Sequence, residues 1–201
     1  MTYRALIPVK MLNEVKSRLA PYLTAQQRAE LVLDMLHHVI DTLRESEALA
    51  AISVVSPDTA ILQQVQRWGA HALQEEVHGH NPALTAAARR ELAAGATALL
   101  TISADLPLLR AVDIQCMIEQ SRQYAVVLAP ARDGTGTNAL LMRPPLALPY
   151  VFGPGSLHQY LAEAGQRGLN SILYDNTHTS LDIDTIEDLT LLQRYEACLK
   201  N

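Results

Sequence analysis

The chain has 201 residues, a formal net charge of −5 and 49% apolar residues, of which few are aromatic (4% of the chain). This length predicts a single domain spanning residues 1–201. The acidic balance and the scarcity of aromatic rings disfavour a nucleic-acid binder, which needs a basic surface and rings for base stacking. A small anionic substrate remains compatible with the composition, because a few Lys and Arg side chains can gather at one site.

The cysteines and the apolar runs indicate in which cellular compartment the protein is expected. Cys116 and Cys198 lie far apart in the sequence and form no CxxC pair, which is typical of two thiols in a reducing compartment. A strand-like run starts almost at once, at Tyr3, and it is too short to be a signal peptide. No apolar run reaches about 18 residues, the length that a membrane span needs. We therefore expect a cytoplasmic protein without a membrane segment.

Apolar runs of strand length alternate with helical patterns along the chain. We predict strands at 5–9, 51–56, 70–74, 97–103, 125–130, 138–142, 171–174 and 179–183. We predict helices at 26–43, 57–68, 82–95, 111–122, 156–166 and 186–199, with starts marked by Thr24, Pro57, Pro82 and Thr185. This alternation predicts βαβ units and therefore an α/β fold, a mostly parallel sheet with helices on both faces. The run 97–103 is apolar throughout and is typical of a central strand.

Charged residues follow several predicted strands. In an open α/β sheet, ligands bind outside the carboxyl ends of the strands. Three cations follow the first strand, Asp105 follows the central strand, and two carboxylates end the last predicted strand. We therefore expect cations and carboxylates to converge on one rim of the sheet. The residues concerned are Lys10, Lys16, Arg18, Asp105, Asp182 and Asp184.

The loop after the first strand, residues 10–18 (the first loop), carries three cations within nine residues. It has no glycine and no GK[ST] sequence, so it is not a Walker A loop. Its cations could neutralise a triphosphate and a leaving pyrophosphate. A solvated charged loop is the alternative, and only the position directly after the first strand favours a binding role.

The sequence supports a metal-binding role more strongly for some of the three carboxylates than for others. Asp105 alone is better explained by a turn or a helix cap than by a magnesium site, although magnesium prefers one or two carboxylates together with substrate phosphates. Asp182 and Asp184 lie two apart in a predicted strand, so both should point the same way and repel each other, which a cation would relieve. Asp184 precedes a helix and could favour its N-terminus instead. Asp182 lies inside the predicted strand, so that alternative does not apply to it.

Two glycine-rich segments could bind anions. The segment 132–138 can present backbone N–H groups to an anion, although a plain hairpin turn is an equal alternative. The segment 152–156 precedes a helix whose N-terminus, with Ser156, could receive a carboxylate or a phosphate. An ordinary helix N-cap is the alternative there.

Several segments taken together occur in a familiar order, and they cover nearly the whole chain. This order resembles the 2-phospho-L-lactate guanylyltransferase family of coenzyme F-420 biosynthesis, which includes phosphoenolpyruvate guanylyltransferases. The most specific parts are Gly134-Thr-Gly-Thr-Asn138 and Phe152-Gly-Pro-Gly-Ser156. The chain departs from the family at His80 and Pro82, which flank Asn81 where Leu and a small residue are expected. The segments are 7–10, 16–19, 81–84, 105–108, 134–140, 152–156 and 182–185.

The resemblance implies a Rossmann-like nucleotidyltransferase fold of the nucleotide-diphospho-sugar transferase type. It implies that the phosphate of a three-carbon phospho-acid attacks the α-phosphorus of GTP and releases pyrophosphate, with Mg²⁺ as cofactor. The motifs do not distinguish phospholactate, phosphoenolpyruvate and phosphoglycerate, and they leave open whether the enzyme is a homodimer. Alternatives are another nucleotidyltransferase of this fold, acting on a sugar phosphate or a cofactor precursor, or a non-catalytic nucleotide-binding domain, which would not need three carboxylates at one rim.

The resemblance also implies roles for individual residues. The metal ligands would be Asp105, Asp182 and Asp184. The catalytic cations would be Lys10, Lys16 and Arg18, which would also face the nucleotide together with Pro8 and Asn81. The contacts to the phospho-acid would come from Thr137, Asn138, Gly153 and Ser156.

Overall fold

The computed structural model describes residues 1–13 and 15–199, and the thiol of Cys198 lies outside the side chains it describes. The described residues contain a seven-stranded sheet of order β3-β2-β1-β4-β6-β5-β7. Strand β6 runs antiparallel to β4 and β5, and the other neighbouring pairs are parallel. The mostly parallel α/β sheet is therefore confirmed. The strands are β1 (Tyr3–Pro8), β2 (Ala51–Ser56), β3 (His71–Gln74), β4 (Ala98–Ile102), β5 (Val126–Pro130), β6 (Thr137–Met142) and β7 (Ser171–Leu173).

Helices cover both faces of the sheet, as predicted. Alternate residues of each strand point to opposite faces, so Ile7 joins a core cluster with α1, α2 and α4, while Leu6 joins a second cluster with α3 and α5. Strand β4 lies in the middle of the strand order and all of its residues are buried, which confirms its predicted central place. The helices are α1 (Ala25–Glu45), α2 (Thr59–Arg67), α3 (His80–Ala93), α4 (Ala111–Gln120), α5 (Ser156–Gln166), α6 (Thr177–Ser180) and α7 (Ile186–Leu199).

Helix N-termini confirm two of the predicted capping signals and correct two others. Thr24 and Gln27 form a reciprocal capping box at α1, and the Thr185 hydroxyl accepts from the backbone N–H of Asp188 at α7. Helix α2 does not begin at Pro57. Asp58 is its N-cap, because one carboxylate oxygen accepts from Ala60 N at 2.9 Å and the other from Leu12 N at 3.0 Å in the first loop.

Helix α3 likewise begins two residues before Pro82, at His80, after Gly79 in a positive-φ conformation. Proline is tolerated within a first helical turn because the N–H groups there have no intrahelical partner. The shift brings the His80 side chain to the helix N-terminus, at the carboxyl ends of β1 and β2.

The predicted strand at 179–183 is wrong. Residues Thr177–Ser180 form the short helix α6, capped by Asn176, whose side chain accepts from Thr179 N at 3.0 Å. The following segment, 181–184, crosses the strand ends without pairing in the sheet, although Ile183 N donates to the carbonyl of Asp105 at 3.3 Å. The backbone carbonyls of this region are satisfied by groups far away in the chain, so strand pairing was not needed to bury it.

None of the helices in the described part of the chain combines the length and the apolar character needed to cross a bilayer.

Candidate active site

A cleft of about 330 Å³ lies over the carboxyl ends of β1 and β4. Its position agrees with the general rule for ligand sites in open α/β sheets. The first loop forms one wall, and Asp105 and Asp184 lie opposite. The side chains at its polar surface and at its mouth are Lys10, Lys16, Arg18, His80, Asp105, Phe152 and Asp184.

Lys16 joins two of the carboxylates at the bottom of the cleft. Its ammonium pairs closely with Asp105 Oδ2 and lies 2.8 Å from Asp184 Oδ1, with only 8% of the side chain exposed. Burial alone would lower the pKa of Lys16, but the charges of Asp105 and Asp184 outweigh it and hold the pKa above its ordinary value. The residue is therefore a permanent buried cation.

The backbone of Lys16 adopts a left-handed conformation with φ 51°, which is uncommon for a residue with a side chain. It lies at the start of a 3-10 turn, Ser17–Leu19, and its carbonyl accepts from Leu19 N at 2.9 Å. Backbone strain at the start of such a turn is a feature that functional sites often retain.

The other two cations of the first loop are far more accessible. Arg18 lies 3.8 Å from Asp184 Oδ2 and its side chain is 73% exposed. Lys10 is exposed at the edge of the cleft. The three predicted cations thus differ: Lys16 is buried between carboxylates of the protein, whereas Lys10 and Arg18 are exposed, and Arg18 makes only a long ion pair with Asp184.

The carboxylates of Asp105, Asp182 and Asp184 offer oxygen atoms that all lie within 4.8 Å of one another. Burial raises the pKa of Asp182 above its ordinary value, and the neighbouring charge of Asp105 raises it further. The structure thus brings together the three residues proposed as metal ligands, and their oxygen atoms are the ligand type that Mg²⁺ prefers. Crowded like charges of this kind are what a bound cation relieves.

The alternative explanation of Asp184 as a helix-capping residue does not hold. The cap of α7 is formed by Thr185 and Asp188: the Thr185 hydroxyl accepts from Asp188 N, and Asp188 Oδ2 accepts from the backbone N–H groups of Asp184 and Thr185 at 3.1 and 2.8 Å. The side chain of Asp184 points instead to Lys16 and Arg18. Its carboxylate therefore belongs to the cleft.

Asn138, at the start of β6, is buried and points to the same carboxylate cluster. Its amide nitrogen lies 3.1 Å from each of three oxygen atoms, the carbonyls of Thr179 and Ser180 and Oδ1 of Asp182. It therefore holds the extended segment 181–184 in place and orients the Asp182 carboxylate. This link between β6 and the metal-ligand candidates was not foreseen from the sequence.

Two other residues expected to contact the phospho-acid, Thr137 and Ser156, meet each other. Ser156 Oγ donates to Thr137 Oγ1 at 3.0 Å, and both side chains are buried. Gly153, by contrast, is exposed in the turn before α5, with φ 135°, and its carbonyl accepts from Ser156 N at 3.1 Å. The two glycine-rich segments are also tied together, because Leu157 N donates to the carbonyl of Thr135 at 3.0 Å.

Asn81 has a clear structural partner on the far side of the cleft. Its side-chain amide donates to the carbonyl of Phe152 at 3.0 Å and accepts from the Phe152 N–H at 2.9 Å. This pair fastens the segment before α5 to the start of α3 and brings the rings of His80 and Phe152 to 6.0 Å, edge to face. Sequence reasoning missed Phe152 as a wall of the cleft, although the chain's single phenylalanine inside a glycine-rich motif was the available signal.

A mostly parallel sheet with exposed cations and three clustered carboxylates at its strand ends is the arrangement expected of a nucleotidyltransferase. The sequence agrees, because the model of the family described as "Guanylyl transferase CofC like" matches residues 3–194. The chain therefore belongs to this guanylyltransferase family.

Named relatives and a solved structure are consistent with that membership. A phosphoenolpyruvate guanylyltransferase from Rubrobacter xylanophilus is 41% identical over 96% of this chain and 94% of its own. A 2-phospho-L-lactate guanylyltransferase from Methanobrevibacter smithii is 32% identical over 92% of this chain and 80% of its own. A crystal structure from Desulfovibrio desulfuricans G20, assigned to the nucleotide-diphospho-sugar transferases, superimposes with a TM-score of 0.83 at 17% identity, covering 97% of this chain and 88% of that one. The predicted nucleotide-diphospho-sugar transferase type of fold is confirmed.

Proposed function

We propose that this enzyme transfers GMP from GTP to the phosphate of phosphoenolpyruvate or 2-phospho-L-lactate and releases pyrophosphate, as a step of coenzyme F-420 biosynthesis. The observation that carries the proposal is the convergence of Lys16 with three carboxylates in a chain of the guanylyltransferase family. Curated relatives with each of the two names support both acids as candidate substrates.

The reaction needs no strong general base, because the attacking phosphate oxygen is already an anion. That oxygen forms a bond to the α-phosphorus of GTP, the bond from the α-phosphorus to the oxygen bridging to the β-phosphate breaks, and pyrophosphate leaves with that oxygen. The enzyme must bring two anions together and neutralise them. A site that combines fixed cations with a metal does this.

The metal would be held by Asp105, Asp182 and Asp184, whose oxygen atoms lie close enough to share one ion. When bound, Mg²⁺ would neutralise charge on the triphosphate and on the incoming phosphate. Lys16 limits the mutual repulsion of Asp105 and Asp184 and so keeps both carboxylates directed into the cleft.

The exposed cations of the first loop would receive the nucleotide. Lys10 and Arg18 border the cleft with exposed side chains, so they can contact the triphosphate and the leaving pyrophosphate. Pro8 would line the nucleotide side from the end of β1. Asn81 would act there by holding Phe152 and the start of α3 in place.

The phospho-acid would be recognised near the glycine-rich segments. Gly153 offers exposed backbone directly before α5, whose N-terminus favours an anion, and the hydroxyl pair of Thr137 and Ser156 lies just behind it. Asn138 would serve the same substrate indirectly, because its amide is already bonded to Asp182.

We also propose a single domain and a cytoplasmic location, because the strands between residues 3 and 173 form one sheet and the cysteines form no paired motif. Sedimentation of the purified protein would decide between a monomer and the homodimer that the family resemblance leaves open.

The test is pyrophosphate release from GTP with Mg²⁺ and, side by side, phosphoenolpyruvate, 2-phospho-L-lactate and a phosphoglycerate, with the product identified by mass. We expect release with at least one of the first two acids. Release only with a sugar phosphate would favour another nucleotidyltransferase of this fold. No release with any nucleoside triphosphate and any of these acids would favour a non-catalytic nucleotide-binding domain.

A further inference from the structure

A second cavity, also of about 330 Å³, adjoins the cleft on the side of β2 and β3. The two cavities share four lining residues, so a single ligand can extend from one into the other. The shared residues are Pro8, Val9, Lys10 and His80. Each cavity is at the small end of the size range of ligand pockets.

The walls of the second cavity are largely apolar, and one carboxylate faces it. Pro8, Val55, Pro57 and Ala83 supply hydrocarbon, while Glu75 is the acidic residue among its lining residues. Such a surface suits a flat, largely apolar ring with a few hydrogen-bond donors. It disfavours a phosphate or a carboxylate, which Glu75 would repel.

The Glu75 side chain is half-buried and forms no hydrogen bond or ion pair among the residues that the structure describes. Its neighbour Glu76 contrasts with it, because that carboxylate is exposed and pairs with Arg90. The backbone of Glu75 is fixed, since its N–H donates to the carbonyl of Ser56 at 3.0 Å directly beyond the end of β3. A positioned acceptor without a protein partner is therefore available to a ligand.

An ionised carboxylate has two acceptor oxygens and no donor. Guanine presents two neighbouring donors on one edge, the ring N1–H and the exocyclic 2-amino group, which match a carboxylate in a bidentate arrangement. Adenine places an acceptor, N1, beside its 6-amino donor, and cytosine places N3 beside its 4-amino group, so each would set a lone pair against Glu75. Among the common bases guanine is the best match.

We propose that the second cavity holds the guanine ring of GTP and that Glu75 reads its N1–H and 2-amino groups. The inference deepens the proposed function and rests on it for the identity of the nucleotide. Lys10 lies where the two cavities meet, which places a cation between the base and the triphosphate. The imidazole of His80 borders both cavities at the same junction.

The test measures nucleotide binding, so that it does not depend on the acceptor substrate. Calorimetry with Mg²⁺ compares GTP, ITP (which lacks the 2-amino group) and ATP on the wild-type enzyme, on Glu75→Gln and on the matched control Glu76→Gln. We expect the wild type and the control to bind GTP about 10- to 100-fold more tightly than ITP, the loss typical of one hydrogen bond to a charged group. Glu75→Gln should reduce this ratio to about threefold or less.

Glu75→Gln should also bind ATP better than the wild type does, because a glutamine amide can donate to adenine N1 and accept from its 6-amino group. Removing the 2-amino group from the ligand tests the same contact without altering the protein, so a folding defect in the variant cannot imitate the result. An unchanged preference for GTP over ITP in Glu75→Gln, or no preference in the wild type, would overturn the assignment. A wild type that prefers GTP but releases no pyrophosphate would leave the assignment standing and refute the proposed reaction.

Discussion

The cleft over β1 and β4 and the polar network at the start of β6 satisfy their polar groups in opposite ways. In the cleft and the carboxylate cluster beside it, Arg18 is largely exposed, Asp184 is half-exposed, and the pKa of Asp182 is raised by burial and by a neighbouring carboxylate. In the network, Thr137 and Asn138 are buried and hydrogen-bonded within the protein. The first region holds exposed or crowded charges that a ligand could contact, and the second pairs its polar groups within the protein. We infer that the cleft performs the chemistry and that the network positions it.

Asp182 belongs to both regions, because it is a member of the carboxylate cluster and accepts a hydrogen bond from Asn138 at 3.1 Å. Substitutions on either side of this contact therefore separate chemistry from positioning. Cleft substitutions should affect turnover more than stability, and network substitutions should affect both.

The largest expected effect is on turnover in Asp105→Asn and Asp182→Asn. Each change keeps the shape of the side chain but removes a negative charge from the cluster, so turnover should fall by roughly 10²–10³. Glu119→Gln, on an exposed face of α4, is the matched control and should behave as the wild type does. Steady-state pyrophosphate release at saturating Mg²⁺ measures the effect. Normal turnover in both variants would refute the metal assignment.

Lys16→Met should follow, with turnover reduced by about 10². The change removes the cation between Asp105 and Asp184, so their repulsion turns the carboxylates away from the cleft. Lys16→Arg should also have low turnover, although it keeps the positive charge, because a planar guanidinium does not fit a site made for a compact ammonium. The exposed variant Arg122→Met serves as the control for loss of one positive charge. Full turnover in Lys16→Arg would show that the site does not require a compact ammonium between Asp105 and Asp184.

Asn138→Ala tests the network. Its amide serves the carbonyls of Thr179 and Ser180 and Oδ1 of Asp182. The Ser180 carbonyl also accepts from Arg132 N at 3.0 Å, so the loss falls mainly on the Thr179 carbonyl and should lower the free energy of unfolding by about 1–3 kcal/mol. If Asn138 acts through Asp182, kcat should fall while KM for the phospho-acid stays near its wild-type value. Denaturant unfolding and steady-state kinetics give the two readouts. A raised KM with an unchanged kcat would indicate direct contact with the acid instead.

The smallest effect is a pair of opposite changes in thermal stability at neutral pH. The pKa of Asp182 is raised in the folded state, by burial and then by Asp105, so its stabilising contribution is complete below its ordinary pKa of 3.8 and is lost as the pH rises through the folded value. Charged Asp182 therefore opposes folding at pH 7. Asp182→Asn should therefore raise the Tm, by about 2–4 °C for each 1 kcal/mol of stability gained in a chain of this size.

Asp188 should behave in the opposite way. Burial acts to raise its pKa, but hydrogen bonds from Thr185 and Asp184 and the charge of Arg132 outweigh it and leave the pKa lowered. Its contribution is present above the ordinary value of 3.8 and is lost as the pH falls through the lower folded value, so Asp188→Asn should lower the Tm at pH 7. Calorimetry in the presence of EDTA compares both variants. If the Tm of both variants shifted by the same amount in the same direction, the predicted difference between the charges of Asp182 and Asp188 would be refuted.

Local pattern was sufficient for most of the fold. Hydrophobic periodicity identified the strands of the sheet, and short-range side-chain chemistry identified the capping boxes at Thr24 and Thr185. These features depend on residues only a few positions apart, so the sequence contains all the information that decides them.

The segment 181–184 shows where local pattern was insufficient. Leu181 and Ile183 are buried and alternate with the more exposed Asp182 and Asp184, as in a strand. The alternation of buried and more exposed side chains that was predicted for 181–184 is therefore present, although the segment is extended without pairing in the sheet. Whether an extended segment joins a sheet depends on which partners reach its backbone, and here one partner is the amide of Asn138, more than 40 residues away.

The amino-acid sequence by itself determined the α/β class, the order of the elements up to β7 and the residue types that could meet at the strand ends. Only the tertiary structure decided that Lys16 bridges Asp105 and Asp184, that Asn138 orients Asp182 and that Asn81 fastens Phe152 beside His80. The physical reason is that periodicity and capping are local, whereas ion pairs and side-chain hydrogen bonds join residues that only folding brings within a few ångströms.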